Sequence, residues 1–246
     1  MNNGPSNEQE PAIKPGKAEG SPVYGNRLAV ELRGFGIIGI LAIVIIVLFG
    51  NIFIGKIVFP LGAVLVLLWV RLSGTPWAAI GYVRPKSWLL SIAGGITLGI
   101  TFKLFMKSVV MPLLGAEPVN QAYHYLAGNN SMLPVAIWAM LMAGFGEETV
   151  FRGYLFERLG KLFGHGIWAR TVIIWLTSIL FGLGHYASQG WTGVEHALIF
   201  GLLFGTIYSI TGRIFMLMVA HAVFDLTALA IIYWDLETEV AHFFFK

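Results

Sequence analysis

No cysteine occurs in this chain of 246 residues, so disulfide bonds and thiolate metal sites are both excluded. Charged residues are scarce as well: they make up 12% of the sequence, whereas soluble domains carry about 25%. No internal repeat is visible, which weighs against many transporter folds. The His-Glu-x-x-His pair that marks one large group of zinc enzymes is also missing.

What the chain has in abundance is apolar sequence, with 57% hydrophobic residues and a mean hydropathy of +0.75. This balance is typical of a helical membrane protein that crosses the bilayer several times, and the length suits one domain. The net charge of +3 could suggest a nucleic-acid partner. We expect none, because the basic residues cluster at the ends of apolar segments, as membrane topology requires.

The segmentation predicts an all-α fold, a polytopic bundle of about seven transmembrane helices in one domain, 33–246, after a disordered polar tail, 1–32. The tail is too long and too mixed for a signal peptide, so we expect no cleavage. Only Gly55-Lys56 separates the first two spans, which predicts a tight hairpin or a partly re-entrant first segment. The predicted spans are 34–54, 57–72, 87–110, 132–157, 171–187, 195–211 and 214–234.

Lysine and arginine alternate between rich and poor connections along the chain, and this predicts a cytoplasmic N-terminus and an external C-terminus. We expect an integral protein of a prokaryotic plasma membrane. Glycines four residues apart share a helix face and let backbones approach closely. We therefore predict packing roles for Gly94, Gly95 and Gly99 in the third span and for Gly201 and Gly205 in the sixth.

Several ionisable residues interrupt the later apolar segments, although a charge in the bilayer core costs at least about 2.5 to 3.5 kcal/mol. This cost indicates a polar site within the membrane rather than packing alone. The residues are Glu147, Glu148 and Arg152 in one segment, His185 in the next, and His221 with Asp225 in the last.

Helical spacing predicts different roles for the two neighbouring carboxylates. Residues four apart share a face, so Glu148 and Arg152 can form an ion pair, whereas neighbours point about 100° apart. Glu147 and Glu148 are therefore not expected to face one point. We interpret Glu148–Arg152 as a pair that holds the site, with a purely structural role also open, and Glu147 as the carboxylate that takes a proton from water.

The histidines have helical neighbours too. His221 and Asp225 share a face, so Asp225 could orient the imidazole, accept a proton or join it as a metal ligand. Phe181 precedes His185 by four residues and would flank its ring and exclude water. A structural role for each histidine also remains open.

These segments resemble the type II CAAX endopeptidases and bacteriocin-processing enzymes of the CPBP or Abi family. Glu147-Glu148-Thr-Val-Phe-Arg152 is similar to the family's EExxxR motif, Phe181-Gly-Leu-Gly-His185 to FxxxH, and His221-Ala-Val-Phe-Asp225 to a His followed four residues later by Asn or Asp. The resemblance covers roughly 132–234, and three motifs in order make it specific.

The resemblance implies an intramembrane endopeptidase in which Glu147 and His185 activate water while His221 and residue 225 stabilise the oxyanion. Asp225 differs from Asn here, because an ionised carboxylate cannot donate a hydrogen bond. It suits a metal ligand, or a partner that keeps His221 charged. One zinc ion held by Glu147, His185, His221 and Asp225 therefore stays open beside a metal-free glutamate mechanism, which we slightly favour.

The expected partners are the lipid bilayer and a peptide or membrane-protein substrate that enters from the cytoplasmic leaflet or from the lipid. An alternative function is a non-catalytic immunity or regulatory protein that binds a peptide in the same pocket. A proton-coupled transporter is a weaker alternative. The polar loop near 111–131, with Glu117 and His124, could gate access or merely connect two spans.

Overall fold

The computed structural model describes Met1 and residues 23–50, 52–54 and 57–245. Within these ranges every regular element is helical apart from one short hairpin, which confirms the predicted all-α class. The elements are α1 (Val23–Arg33), α2 (Ile37–Leu48), β1 (Ile52–Ile54), β2 (Ile57–Phe59), α3 (Leu61–Ser73), α4 (Trp88–Phe105), α5 (Met111–Leu113), α6 (Leu133–Glu147), α7 (Phe156–Phe163), α8 (Ile167–Gly184), α9 (Tyr186–Thr211), α10 (Phe215–Tyr233) and α11 (Glu237–Ala241). Short 3₁₀ turns occupy Trp77–Ile80 and His124–Leu126, and π-helical segments occupy Met106–Val110 and Glu148–Leu155.

Four helices of the described chain are long and apolar enough to cross a bilayer, namely Trp88–Leu113, α8, α9 and α10. The pair Arg27–Arg33 and Ile37–Leu48, bent by 59°, makes a fifth when counted as one span. Helix α3 has 13 residues, and its length of about 20 Å falls short of a core about 30 Å thick. The structure thus fits an integral membrane protein, but the predicted number of seven spans is not confirmed.

The N-terminal region differs from the prediction of a disordered tail over 1–32. Residues 2–22 lie outside the described residues, but residues 23–33 form α1. Side-chain hydrogen bonds hold its C-terminal carbonyls: Trp69 Nε1 donates to Leu32 O (3.0 Å), and Arg158 Nη1 donates to Arg33 O (2.9 Å) and more weakly to Leu32 O (3.4 Å). Composition could not reveal this helix, because the residues that donate hydrogen bonds to it are distant in the sequence.

The chain reverses between α2 and α3, where the sequence predicted either a tight hairpin or a re-entrant segment. Strands β1 and β2 pair in antiparallel fashion, with Ile52 opposite Phe59. The amide of Gly62 donates to Gly50 O (2.7 Å) across the base of this hairpin. The turn itself, Gly55-Lys56, lies outside the described residues.

Helix α10 lies between α4 and α6, and glycines bring the three backbones together. A Cβ atom added at Gly99 of α4 would lie 2.5 Å from Ala220 O, and one added at Gly144 of α6 would lie 2.7 Å from Ala222 N. Real Cβ atoms do not approach backbone atoms so closely. Helix α10 is therefore clamped on both sides of residue 221.

The predicted glycine contacts are confirmed at several positions. Added Cβ atoms would meet α10 backbone or side chains within 2.9 Å at Gly95, and Ser178 of α8 at 2.9 Å from Gly201. At Gly205 the nearest atom, from Ile174, is at 3.4 Å, which is an ordinary contact. Gly94 is looser still, with its nearest neighbour at 3.7 Å, so its packing role is not confirmed.

The bundle has two distinct ends. At the first, which we call the basic end, the connection 74–87 meets the α9–α10 turn, where Ile214 N donates to Gly81 O (3.0 Å). At the second, the loop end, segment 114–132 meets the end of α10, where Gly128 N donates to Tyr233 O (2.9 Å). The connections and helix termini at the basic end carry Arg33, Arg71, Arg84, Lys86, Arg158, Lys161, Arg170 and Arg213.

Candidate active site

The acidic pair lies where α6 changes into a π-helix. Helix α6 ends at Glu147, the π-helical segment runs Glu148–Leu155, and α7 follows without a break. A π-helix hydrogen-bonds residue i to i+5, so its turn is wider and neighbouring side chains are rotated less from each other. Such segments are frequent at functional sites.

Glu148 is fully buried and has two cationic or potentially cationic partners. Its Oε1 accepts from Arg152 Nη1 at 2.8 Å and lies 2.8 Å from His221 Nδ1. The ion pair with Arg152 was predicted, whereas the contact with His221 was not. The other oxygen, Oε2, is buried without a hydrogen-bond partner among the described residues.

Glu147 reaches the opposite side of the same imidazole. Its Oε2 lies 3.7 Å from His221 Nε2, and its side chain is 20% exposed, whereas that of Glu148 is not exposed at all. The expectation that the two carboxylates could not face one point is therefore wrong. The wider π-helical turn begins between them, and an imidazole offers two nitrogens on opposite edges.

His221 and Asp225 share a face of α10, as the spacing predicted. Asp225 Oδ2 lies 3.6 Å from His221 Nε2. This distance fits an ion pair but exceeds a hydrogen bond. Three carboxylates thus surround one buried imidazole, two of them at Nε2 and one at Nδ1.

His185 lies at the turn between α8 and α9. Its Nδ1 is 2.8 Å from Phe181 O. Because a carbonyl only accepts, Nδ1 carries the proton, and in a neutral ring Nε2 is then an acceptor. The ring of Phe181 lies 4.8 Å from that of His185, so it flanks the imidazole as predicted.

Aromatic rings surround the Arg152 guanidinium, which is almost fully buried. Its central carbon lies 4.9 Å from the Phe181 ring, 5.6 Å from Phe200 and 5.6 Å from Phe204. These cation–π contacts compensate a desolvated cation and keep water away from the pair with Glu148.

A cavity of about 490 Å³ brings the predicted residues together. Glu147, His185, His221 and Asp225 all line it, while Glu148 and Arg152 lie behind its wall. Its remaining lining is largely apolar. The cavity extends to the loop end, where segment 114–132 contributes to its wall, so this segment is more than a connector.

Several polar residues of the cavity were not identified as site residues from the sequence, among them Lys103, Tyr123, Gln189 and His196. Lys103 and His196 lie in predicted spans, so the cost of an intramembrane charge could have revealed both. Tyr123 and Gln189 carry no such signal. Burial raises the pKa of Tyr123, and the negative charges of Asp225 and Glu147 add to this, so its hydroxyl stays a hydrogen-bond donor at neutral pH.

The predicted zinc ligands share the cavity, but in the described part of the chain no three His, Asp or Glu side chains are arranged to hold a metal ion. Glu148 occupies His221 Nδ1 at 2.8 Å. The zinc ion itself stays a prediction, since Nε2 of His221 lies near both Glu147 and Asp225.

Comparison with known families gives one finding. The family model described as Type II CAAX prenyl endopeptidase Rce1-like matches residues 129–227. No curated protein and no solved structure gives a significant match. The matched range runs from just before α6 into α10 and so includes Glu147, His185, His221 and Asp225.

Proposed function

We propose that the chain belongs to the Rce1-like family of type II CAAX endopeptidases, whose model matches residues 129–227, and that it hydrolyses a peptide bond of a membrane-associated protein or peptide inside its cavity. The observation that carries this proposal is that Glu147, His185 and His221, from three parts of the chain, line one cavity. A base, an open imidazole nitrogen and a potential oxyanion donor thus surround one space.

In the first step Glu147 takes a proton from water, and the acceptor nitrogen of His185 orients that water. The oxygen of the resulting hydroxide bonds to the carbonyl carbon of the substrate. The π electrons of the carbonyl move to its oxygen. His221, charged among its carboxylates, donates from Nδ1 to Glu148 and from Nε2 to the new oxyanion.

In the second step the electron pair on the oxyanion returns to carbon and the bond from carbon to nitrogen breaks. The proton held by Glu147 passes to the leaving amine. One water is consumed, and an acid and an amine are released, so no further reactant is needed. Glu148 and Arg152 position His221, and Asp225 keeps it charged.

This mechanism is a glutamate type without metal. Zinc analysis of the purified protein tests it, because a stoichiometric zinc ion whose removal abolishes cleavage would replace Glu147 as the activator of water.

The distribution of basic residues orients the cavity in the membrane. Eight Lys and Arg residues gather at the basic end, and on the positive-inside rule we place this end on the cytoplasmic side. The cavity reaches the opposite, loop end. We therefore infer that the substrate arrives from the outer side of a plasma membrane, which differs from the expectation of access from the cytoplasmic leaflet.

Comparative proteomics of cells that carry wild type or Glu147→Ala tests the function. We expect a precursor that stays uncleaved in the variant, and a loss of at least about 10²-fold in the cleavage rate by purified protein. Turnover retained in Glu147→Ala would contradict the mechanism. Full cellular function of Glu147→Gln, which keeps the shape but loses the base, would instead support the non-catalytic immunity or regulatory alternative.

The absence of cysteine makes the orientation measurable. Single variants Asn129→Cys at the loop end and Arg170→Cys at the basic end can be treated in intact cells with a maleimide that does not cross membranes. We expect Asn129→Cys alone to react, and both to react after lysis. The reverse pattern would overturn the inferred orientation.

A further inference from the structure

Segment 116–126 forms part of the cavity wall at the loop end. Its backbone runs in turns and bends, apart from the short 3₁₀ turn His124–Leu126. Four of its side chains line the cavity, namely those of Asn120, Tyr123, Tyr125 and Leu126. This part of the wall is therefore built without a long helix, and the position of the segment sets the width of the cavity at this end.

A glycine with a left-handed backbone lies just beyond each end of the segment. Gly115 has φ +73° and Gly128 has φ +59°, and a Cβ atom added to either would meet nothing within 4 Å. Ala116 N donates to Met111 O (3.0 Å) at the first end. Gly128 N donates to Tyr233 O (2.9 Å) at the second. The two ends are thus fastened to helices, and the adjoining glycines can absorb the backbone rotation that a moving loop requires.

Between its ends the segment is held mainly by one carboxylate. The side chain of Glu237, in α11, is only 1% exposed. Its Oε1 accepts from Asn120 N (2.8 Å), and its Oε2 lies 3.3 Å from His124 Nδ1. Lys107 Nζ lies 3.4 Å from Glu237 Oε1 and also donates to Pro118 O. Two contacts therefore join the segment to Glu237 directly, and a third joins it through Lys107.

The other side-chain contacts of the segment fix its position less strictly. Tyr123 meets the turn between α8 and α9, where Gln189 Nε2 lies 3.5 Å from its hydroxyl, at the limit of a hydrogen bond. Tyr123 and Leu126 also pack in a small apolar cluster with Leu229 of α10. Apolar contact is not directional and tolerates displacement. The directional contacts with Glu237 therefore specify where the segment lies.

A simpler role for Glu237 is to fix the short helix α11 on the bundle. Lys107 alone would suffice for that role, because it already pairs with the buried carboxylate. The role does not account for two further contacts with the cavity wall, one of them from His124, whose side chain is 43% exposed. Nor does it account for the left-handed glycines on both sides of the segment that receives these contacts.

We propose that segment 116–126 is a lid that opens and closes the cavity, and that Glu237 is the latch that holds it closed. The inference rests on the proposed function for its purpose, which is to admit a substrate. When the lid opens, water reaches Glu237 and replaces the hydrogen bonds lost from Asn120 and His124, so the two positions differ little in free energy. Lys107 stays beside Glu237 in both, since neither residue lies in the lid.

Because the chain has no cysteine, a single thiol can report the opening of the cavity without any hydrolysis. Ala139→Cys places this thiol on the cavity wall. Its rate of reaction with a bulky maleimide, measured on the full chain in detergent, rises with the time that the lid is open. We expect Glu237→Ala to raise the rate about tenfold or more, because it removes the contacts with Asn120 and His124 together. Glu237→Gln keeps an acceptor for Asn120 N and should raise it less.

The matched control is Glu239→Ala, since Glu239 lies on the same helix, carries the same charge and is exposed. It should leave the rate unchanged. His124→Ala changes a partly exposed residue and should raise the rate about two- to fivefold, so it tests the latch even where Glu237→Ala does not fold. A second reporter, Arg170→Cys at the basic end, should react at one rate in every variant.

An unchanged rate at Ala139→Cys in both Glu237→Ala and His124→Ala would overturn the latch. So would an equal rise in Glu239→Ala, or a rise at the Arg170→Cys reporter as well, since that would show general loosening of the bundle. Labelling needs no turnover, so a failure to cleave any precursor would count against the proposed function alone.

Discussion

The helix from Leu133 to Phe163 carries two buried acid–arginine pairs, and they differ in how completely they are bonded. In the second, Arg158 donates to Glu157 (2.6 Å) and to Arg33 O (2.9 Å), and it lies 4.8 Å from the Trp69 ring. In the first, Glu148 shares one oxygen between Arg152 and His221, and its other oxygen lacks a hydrogen-bond partner among the described residues.

The difference distinguishes an ion pair with a structural role from one at the site of the proposed reaction. Burying an ion pair costs desolvation that only close geometry and further hydrogen bonds offset. The Arg158 pair meets that requirement and fixes α1 on the bundle. The Arg152 pair meets it only in part. The pair lies beside the cavity, where a reaction can use its charges, and we interpret its uncompensated desolvation cost as functional.

The largest expected effect comes from Arg152→Met. This change leaves Glu148 buried beside an imidazole alone and should cost about 3–5 kcal/mol of stability. The orientation of His221 depends on Glu148, so cleavage should also be lost. Thermal unfolding in detergent and cleavage of the precursor measure the two effects.

The matched control is Arg158→Met. Glu157 keeps Lys161 as a partner at 2.6 Å, so the expected loss is smaller, about 1–3 kcal/mol. Cleavage should survive because α1 and the Glu157 pair do not line the cavity. If Arg158→Met abolished cleavage as completely as Arg152→Met, the distinction between the two pairs would fail.

A substitution in α4 disturbs the surroundings of the first pair through α10. Gly99→Ala would put a Cβ atom 2.5 Å from Ala220 O, so α10 must move and carry His221 away from Glu148. Overpacking of this kind costs about 1–3 kcal/mol, and cleavage should fall with it. Gly94→Ala on the same helix meets its nearest atom at 3.7 Å and should be nearly silent in both measurements. Equal effects of the two changes would refute the clamp on α10.

The smallest expected effect concerns the residue after Glu148. Thr149 donates to Phe145 O (2.7 Å), so in its contact with Tyr82 (2.8 Å) the tyrosine hydroxyl donates. Burial raises the pKa of Tyr82, which keeps that hydroxyl protonated. Tyr82→Phe should cost about 1 kcal/mol and slow cleavage slightly. A double-mutant cycle with Thr149→Val measures the coupling, and additive losses would show that this bond does not support the π-helical segment.

The sequence predicted much of the site because charges in apolar segments are costly wherever they lie. It placed Glu147, His185, His221 and Asp225 in one polar group, and it paired Glu148 with Arg152. It could not predict that Glu148 also contacts His221, because that contact depends on a π-helical turn whose start no residue type marks. Lys103 and His196 are also ionisable residues in predicted spans. The same argument therefore applied to them, but they were not identified as site residues.

The fold was predictable in class but less so in detail. Apolar segments predicted the positions of α4, α8 and α10 to within a few residues. They also predicted the end of α9, but this helix begins at Tyr186, nine residues before the predicted start. Hydropathy alone could not show that α3 is too short to span, nor that α1 is ordered by hydrogen bonds from Trp69 and Arg158. Both depend on tertiary contacts far apart in the sequence.

The glycine clamp on α10 has a consequence for the motions of the bundle. Because their backbones are in contact, α4, α6 and α10 can separate only by losing many contacts at once. The loop end is held differently, by side chains that converge on Glu237 from Lys107, His124 and the Asn120 amide. Release of that one carboxylate is a far smaller event, and amide hydrogen exchange should be fastest in segment 116–126 and slowest along α10.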